Sequence, residues 1–118
     1  MYGLQKGIDL TFLNNRELIQ VAVGFYNIIF RFDEDVAITV EAEFTYFDGR
    51  SETVWKPGAS HIAASTVELL ESSIVSVEGF ENGTLALKFA NGQRLTILDS
   101  SKEYESYDIT RPGVTIVV

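Results

Sequence analysis

The sequence predicts an α+β fold that is mainly β: a twisted antiparallel sheet, or a pair of sheets, with two short helices. Three observations predict it. Apolar and polar residues alternate along several short runs, the period of a half-buried strand. Turn signals carrying glycine, proline or asparagine separate those runs, which puts the count at roughly eight or nine strands. The pattern of the first half also returns in the second.

Taken in order, Asp9 and the apolar stretch to Leu13 read as a capped short helix. A strand beginning at Leu18 returns through the turn Gly24 to Asn27 into Ile28, Phe30 and Phe32, which share one face. On a long following strand Val36, Ile38, Val40, Ala42, Phe44 and Tyr46 share the core face, leaving Thr39, Glu41 and Glu43 on the other. Asp48 and Gly49 turn that strand, which ends at Phe47, into another from Thr53 to Trp55. Pro57 and Gly58 break structure before the second helix, where Ser65 and Glu68 have the spacing of a capping box. Beyond it Ile74 to Val77 forms a strand, and Leu85, Leu87 and Phe89 face inward beside Leu95 and Ile97 across the Asn91 and Gly92 turn. The end of the chain, Val114 to Val118 after Pro112 and Gly113, reads as a buried closing strand.

The halves align in detail. Phe30 to Val40 lies over Leu87 to Ile97, matching Phe32 to Phe89, Ile38 to Leu95 and Thr39 to Thr96. Leu18 to Val21 lies over Ile74 to Val77 one residue out of step, and the difference falls in the turns Gly24 to Asn27 and Glu81 to Thr84, where length changes are tolerated. Asp9 to Leu13 parallels Ser65 to Leu69. An internal duplication with pseudo-twofold symmetry is the economical reading, with repeat units 9–47 and 65–110 inside a single domain spanning 1–118. The competing reading is that any two amphipathic hairpins look alike.

Composition narrows the function. With 9 Lys and Arg against 17 Asp and Glu the net charge is −8, and no basic cluster occurs, so no nucleic acid is expected as a partner. No apolar run approaches the length of a membrane span and no targeting segment is visible, so the expectation is a cytoplasmic protein with no membrane partner. No cysteine and a single histidine, His61, remove thiolate and imidazole-rich metal sites and the thiol nucleophile. His61 lies near a helix start with no orienting partner evident, and the serines lack a nucleophile-elbow context. The expectation is no cofactor, no metal and no catalytic residue.

Four groups of residues remain. Asp33, Glu34 and Asp35 concentrate carboxylates in one turn that could hold a hard cation such as calcium, but the spacing matches no metal loop and the equivalent turn, Ala90 to Gly92, has no carboxylate. Glu41 and Glu43, two apart on a strand, point the same way; with Asp33, Glu34 and Asp35 they make a candidate negative patch for a basic partner. Phe44, Trp55, Tyr104, Glu105 and Tyr107 are candidates to line a pocket between the halves. In the stretch from Lys102 to Ile109, a strand would put either Glu105 among core residues or an aromatic in solvent; a tyrosine hydroxyl, Arg50, Arg94 or Arg111 could satisfy such a glutamate internally.

From Phe89 to Ile97, then Asp99 to Ser101, Tyr104 to Tyr107 and the terminal Gly113 to Val118, the chain resembles a group of small bacterial domains of unknown function sharing a strand, a YESY-like motif and a hydrophobic end. The resemblance implies a β-rich, bacterial, cytoplasmic protein and brings no activity or site residue with it. Three functional readings stay open: a protein-binding module of the immunity or antitoxin kind whose acids cover a basic toxin, a ligand-binding domain or enzyme with a pocket between the halves, and a homodimeric structural domain.

Overall fold

The computed structural model describes residues 2–118. Its strands are β1 (Leu18–Val23), β2 (Ile28–Phe32), β3 (Ala37–Val40), β4 (Glu43–Phe47), β5 (Glu52–Trp55), β6 (Ile74–Gly79), β7 (Leu85–Phe89), β8 (Arg94–Leu98), β9 (Tyr107–Arg111) and β10 (Val114–Val117). One α-helix, α1 (Ser60–Ser65), runs directly into a 3-10 turn, Thr66–Leu69; a second 3-10 turn, Thr11–Leu13, precedes β1. The first expected helix is therefore one tight turn, with Asp9 Oδ1 accepting from the Thr11 backbone N–H at 2.9 Å. The Ser65 and Glu68 capping box does not form: Ser65 Oγ donates back to the Ile62 carbonyl at 2.6 Å, because helix already precedes it.

All the strands pair antiparallel, in two five-stranded sheets of order β1-β2-β3-β9-β10 and β6-β7-β8-β4-β5. Each sheet thus takes three consecutive strands from its own half and a hairpin from the other. The long strand expected from Val36 to Tyr46 is two strands in different sheets, β3 and β4, joined by a bend at Glu41 and Ala42. Inside-outside alternation continues unbroken through that bend, with Val40, Ala42 and Phe44 all buried, so the pattern alone gives no sign that the chain changes sheets.

The two halves meet on a set of reciprocal contacts. The Asn15 N–H donates to the Ile74 carbonyl at 2.8 Å and the Glu71 N–H to the Leu18 carbonyl at 2.9 Å. The Leu18 N–H donates to Ser72 at 3.1 Å and the Ile74 N–H to Arg16 at 2.9 Å. Asn15 and Glu71 both adopt left-handed backbone, at φ 66° and 68°. Between them Glu17 and Ser73 form an isolated antiparallel bridge, where a pseudo-twofold axis would pass. Both β1 and β6 carry a bulge one residue in, between Leu18 and Gln20 and between Ile74 and Ser76. The links 24–27 and 80–84 differ by the one residue that the alignment places there.

The core lies between the sheets. Phe30, Phe32, Ile38, Val40, Leu87, Phe89, Leu95 and Ile97 are all buried within one cluster that draws on both sheets. The C-terminal strand β10 is not buried as expected. It is an edge strand with Val114 and Val117 exposed; Ile116 is partly buried against the core, and Val118 beyond the strand is fully buried.

Candidate functional site

The link between β8 and β9 makes the same crossing between sheets as the bend at Glu41 and Ala42, with eight residues, 99–106, instead of two. Ser106 ties the two crossings together. Its carbonyl accepts from the Glu41 and Ala42 N–H groups at 2.9 and 3.1 Å, and its Oγ donates to Asp99 Oδ1 at 2.7 Å. Asp99 Oδ2 in turn accepts from the Gly3 N–H at 2.8 Å. Tyr107 beside it is fully buried and donates its hydroxyl to the Gly83 carbonyl at 2.6 Å; burial pushes that hydroxyl's pKa up. The strand conflict expected between Lys102 and Ile109 disappears because β9 begins only at Tyr107, which lets Ser106 and Tyr107 both turn inward while Tyr104 stays in solvent.

This knot brings three carboxylates together. Glu41 stands at the end of β3, Asp108 on β9 opposite Thr39, and Glu105 on the link, with carboxylate oxygens all within 4.8 Å of one another. Burial is the main cause raising the Glu41 carboxyl's pKa, followed by the Glu105 charge, a hydrogen bond with Glu105 and the Asp108 charge. Burial, then Glu105, raises that of Asp108. The charges acting on these two groups are negative, so the corner is a focus of uncompensated charge. Its oxygens are of the kind that a hard cation or a lysine or arginine head group accepts. Two of the internal partners expected for Glu105 are engaged elsewhere: Arg94 lies over Phe47 at 4.4 Å and Arg111 over Phe12 at 4.5 Å.

The five acids expected as one patch are not brought together. Asp33, Glu34 and Asp35 form the tip of the β2-β3 hairpin, with Glu34 and Asp35 in left-handed backbone at φ 58° and 56°. Glu41 is six residues of extended chain away, roughly 20 Å. Asp33 pairs with Arg16 at 3.6 Å and Glu43 with Lys56 at 3.6 Å. Phe44 and Trp55 are wholly buried and stack at 5.3 Å as part of the core, while Tyr104 is half exposed. Phe44, Trp55, Tyr104, Glu105 and Tyr107 therefore do not surround a common cavity. Of the residues singled out in the sequence, Glu41 and Glu105 do meet; Asp108, the third member, had no signal of its own because its role depends on the pairing of β3 with β9.

The fold and site define a class: a mainly β protein of two antiparallel sheets exchanging hairpins, with an acidic corner where the chain crosses between them. Residues 10–118 match the model of a family of unknown function, DUF6188, and the chain belongs to that family. No curated protein and no solved structure matches it. Among the described residues no helix is long and apolar enough to cross a membrane.

Proposed function

We propose that this protein is a non-catalytic binding module that captures a basic protein, in the manner of an immunity protein or antitoxin, with Glu41, Glu105 and Asp108 as the electrostatic centre of its docking surface. The observation that carries the reading is the uncompensated corner itself. Three carboxylates held within 4.8 Å repel one another, and a cationic side chain from a partner removes that repulsion while gaining several charge-assisted hydrogen bonds. The net charge of −8 adds a long-range field that speeds encounter with a positive surface.

The test uses a synthetic lysine- and arginine-rich peptide as the basic surface. Titrated into the isotopically labelled protein at low salt, it moves the backbone amide resonances of Glu41, Glu105 and Asp108 first and furthest, and the shifts shrink as salt is added. Shifts spread evenly over the exposed acids, or centred on the hairpin tip at Glu34, would overturn the reading and leave general acidity as a solubility device.

A further inference from the structure

The two halves place equivalent residues at one position in each sheet, and the two positions have diverged. Phe12 and Glu68 each precede the buried leucine of a 3-10 turn, Leu13 or Leu69. Val36 and Gln93 each close a hairpin by accepting from the N–H of Phe32 or Phe89. Ile109 lies opposite Ile38 as Tyr46 lies opposite Leu95, and Arg111 and Asp48 follow them by two residues.

In the sheet built on the second half this position is filled by the chain's own polar groups. Tyr46 donates to the Gln93 side chain, with Glu68 Oε2 at 3.5 Å. Gln93 Nε2 donates to Glu68 Oε2 at 3.3 Å and to the Asp48 carbonyl at 3.1 Å. Burial is the main cause lifting the Tyr46 hydroxyl's pKa to about 12, with the Glu68 charge next. A carboxylate, that of Glu68, completes the network.

In the sheet built on the first half the same position is an open cleft of about 440 Å³, lined by Phe12, Arg16, Glu34, Val36, Arg111 and Pro112. The groups that fill it on the other side are replaced by apolar ones, and two guanidinium groups now stand at its wall in a protein of net charge −8. The Arg111 guanidinium carbon lies 4.5 Å from the centre of the Phe12 ring, and Arg16 has Asp33 at 3.6 Å on Nη1 while its buried Nε has no hydrogen-bond partner. Three acids lie nearby: Asp33, paired with Arg16; Asp9, whose pKa is lowered chiefly by its hydrogen bonds with Thr11 and lastly by the Arg111 charge; and Glu34 on the exposed rim.

We propose that this cleft binds a single carboxylate carried on an apolar body, such as a small aromatic acid, its carboxylate meeting Arg111 and Arg16 and its body resting on Phe12, Val36 and Pro112. The ligand supplies from outside the carboxylate that Glu68 supplies in the other half. Bidentate guanidinium donors fix the head group, and the apolar floor accounts for the body. Glu34 on the rim repels a second negative charge, which favours monocarboxylates over dicarboxylates.

Phenylacetate is the probe, with phenylacetamide as its neutral counterpart. Titration of the labelled full chain with phenylacetate gives saturable amide shifts at Phe12, Arg16, Val36 and Arg111, leaving Glu68, Asn91 and Gln93 unmoved. Phenylacetamide binds about tenfold more weakly or worse, the loss of one charge-assisted contact. The exposed variant Arg111→Gln loses a similar factor while its spectrum stays that of the folded protein. No saturable shift in the cleft, equal binding of the acid and the amide, or undiminished binding to a folded Arg111→Gln variant would each overturn the proposal.

Discussion

Phe32 and Phe89 lie against each other across the two sheets, ring centroids 6.4 Å apart and planes 17° from parallel. They are equivalent residues of the two halves, each at the end of the central strand of its hairpin set and each 2% exposed. The stack sits beside the reciprocal backbone bonds of Asn15, Leu18, Glu71 and Ile74, so the rings help fix how the halves meet. Truncating Phe89 to alanine is expected to cost about 3–5 kcal/mol, the range for a large buried aromatic. Phe32→Ala should cost a similar amount. The double variant should cost less than the sum by about 0.5–1.5 kcal/mol, the coupling of an aromatic pair. Urea unfolding curves of the four proteins measure it; strict additivity would show that the stack carries no coupling.

Acidification should stabilise the protein before it destabilises it. The Glu41 and Asp108 carboxyls have pKa values raised above their ordinary 4.5 and 3.8, so the folded chain binds protons more readily than the unfolded chain. Stability from these two groups is therefore greatest at low pH and falls as pH rises through their raised values. Asp9 and Asp48 have lowered values, chiefly from hydrogen bonds with Thr11 and with the Ser51 and Arg50 N–H groups. Their contribution has the opposite sign and is lost as pH falls below 3.8. Thermal midpoints taken from pH 7 downward should rise and then fall. Glu41→Gln should melt higher than the parent at pH 7 and show a smaller rise; an unchanged pH profile in that variant would remove the corner as its source.

The Tyr107 hydroxyl and the Gly83 carbonyl connect β9 to the turn before β7, and both residues are buried. Tyr107→Phe leaves that carbonyl without its partner and should cost about 1–3 kcal/mol. Gly83 itself has φ 94°, and a methyl group there would collide with the Asp99 side chain. Gly83→Ala should therefore cost more than about 1 kcal/mol. Denaturant midpoints check both, and a Gly83→Ala variant as stable as the parent would contradict the close approach of Asp99.

The hairpins were readable in the sequence because a two-residue period and turn residues such as Asn91 and Gly92 are local signals. The equivalence of Phe32 and Phe89 was readable for the same reason. Period-two alternation states which face a residue occupies, however, and not which strand lies beside it. Nothing local marks the passage of the chain from β3 to β4, since Val40, Ala42 and Phe44 keep the alternation through the bend. The exchange of hairpins between sheets followed from that passage and was invisible with it. Glu41 and Asp108 are neighbours only because β3 pairs with β9, so the acidic corner is not legible in the sequence, where Glu105 stands out as a pocket candidate and as a misfit in its strand but not as a partner of Glu41. Arg16 gave no signal at all; its place beside Arg111 depends on how the Thr11–Leu13 turn packs near the end of β9.

Whether the acidic corner, rather than acidity in general, receives a basic surface is measurable. Two charge reversals separate these. Glu105→Lys and Glu34→Lys each replace one negative charge with a positive one, so both take the net charge from −8 to −6. They differ in place: the first lies inside the corner and the second at the hairpin tip. The measurement is the dissociation constant of each variant for the same lysine- and arginine-rich peptide at low salt. Glu105→Lys is expected to weaken binding by about tenfold, roughly 1.4 kcal/mol, while Glu34→Lys stays within about twofold of the parent, as befits an exposed rim charge. Equal weakening by the two reversals would contradict it.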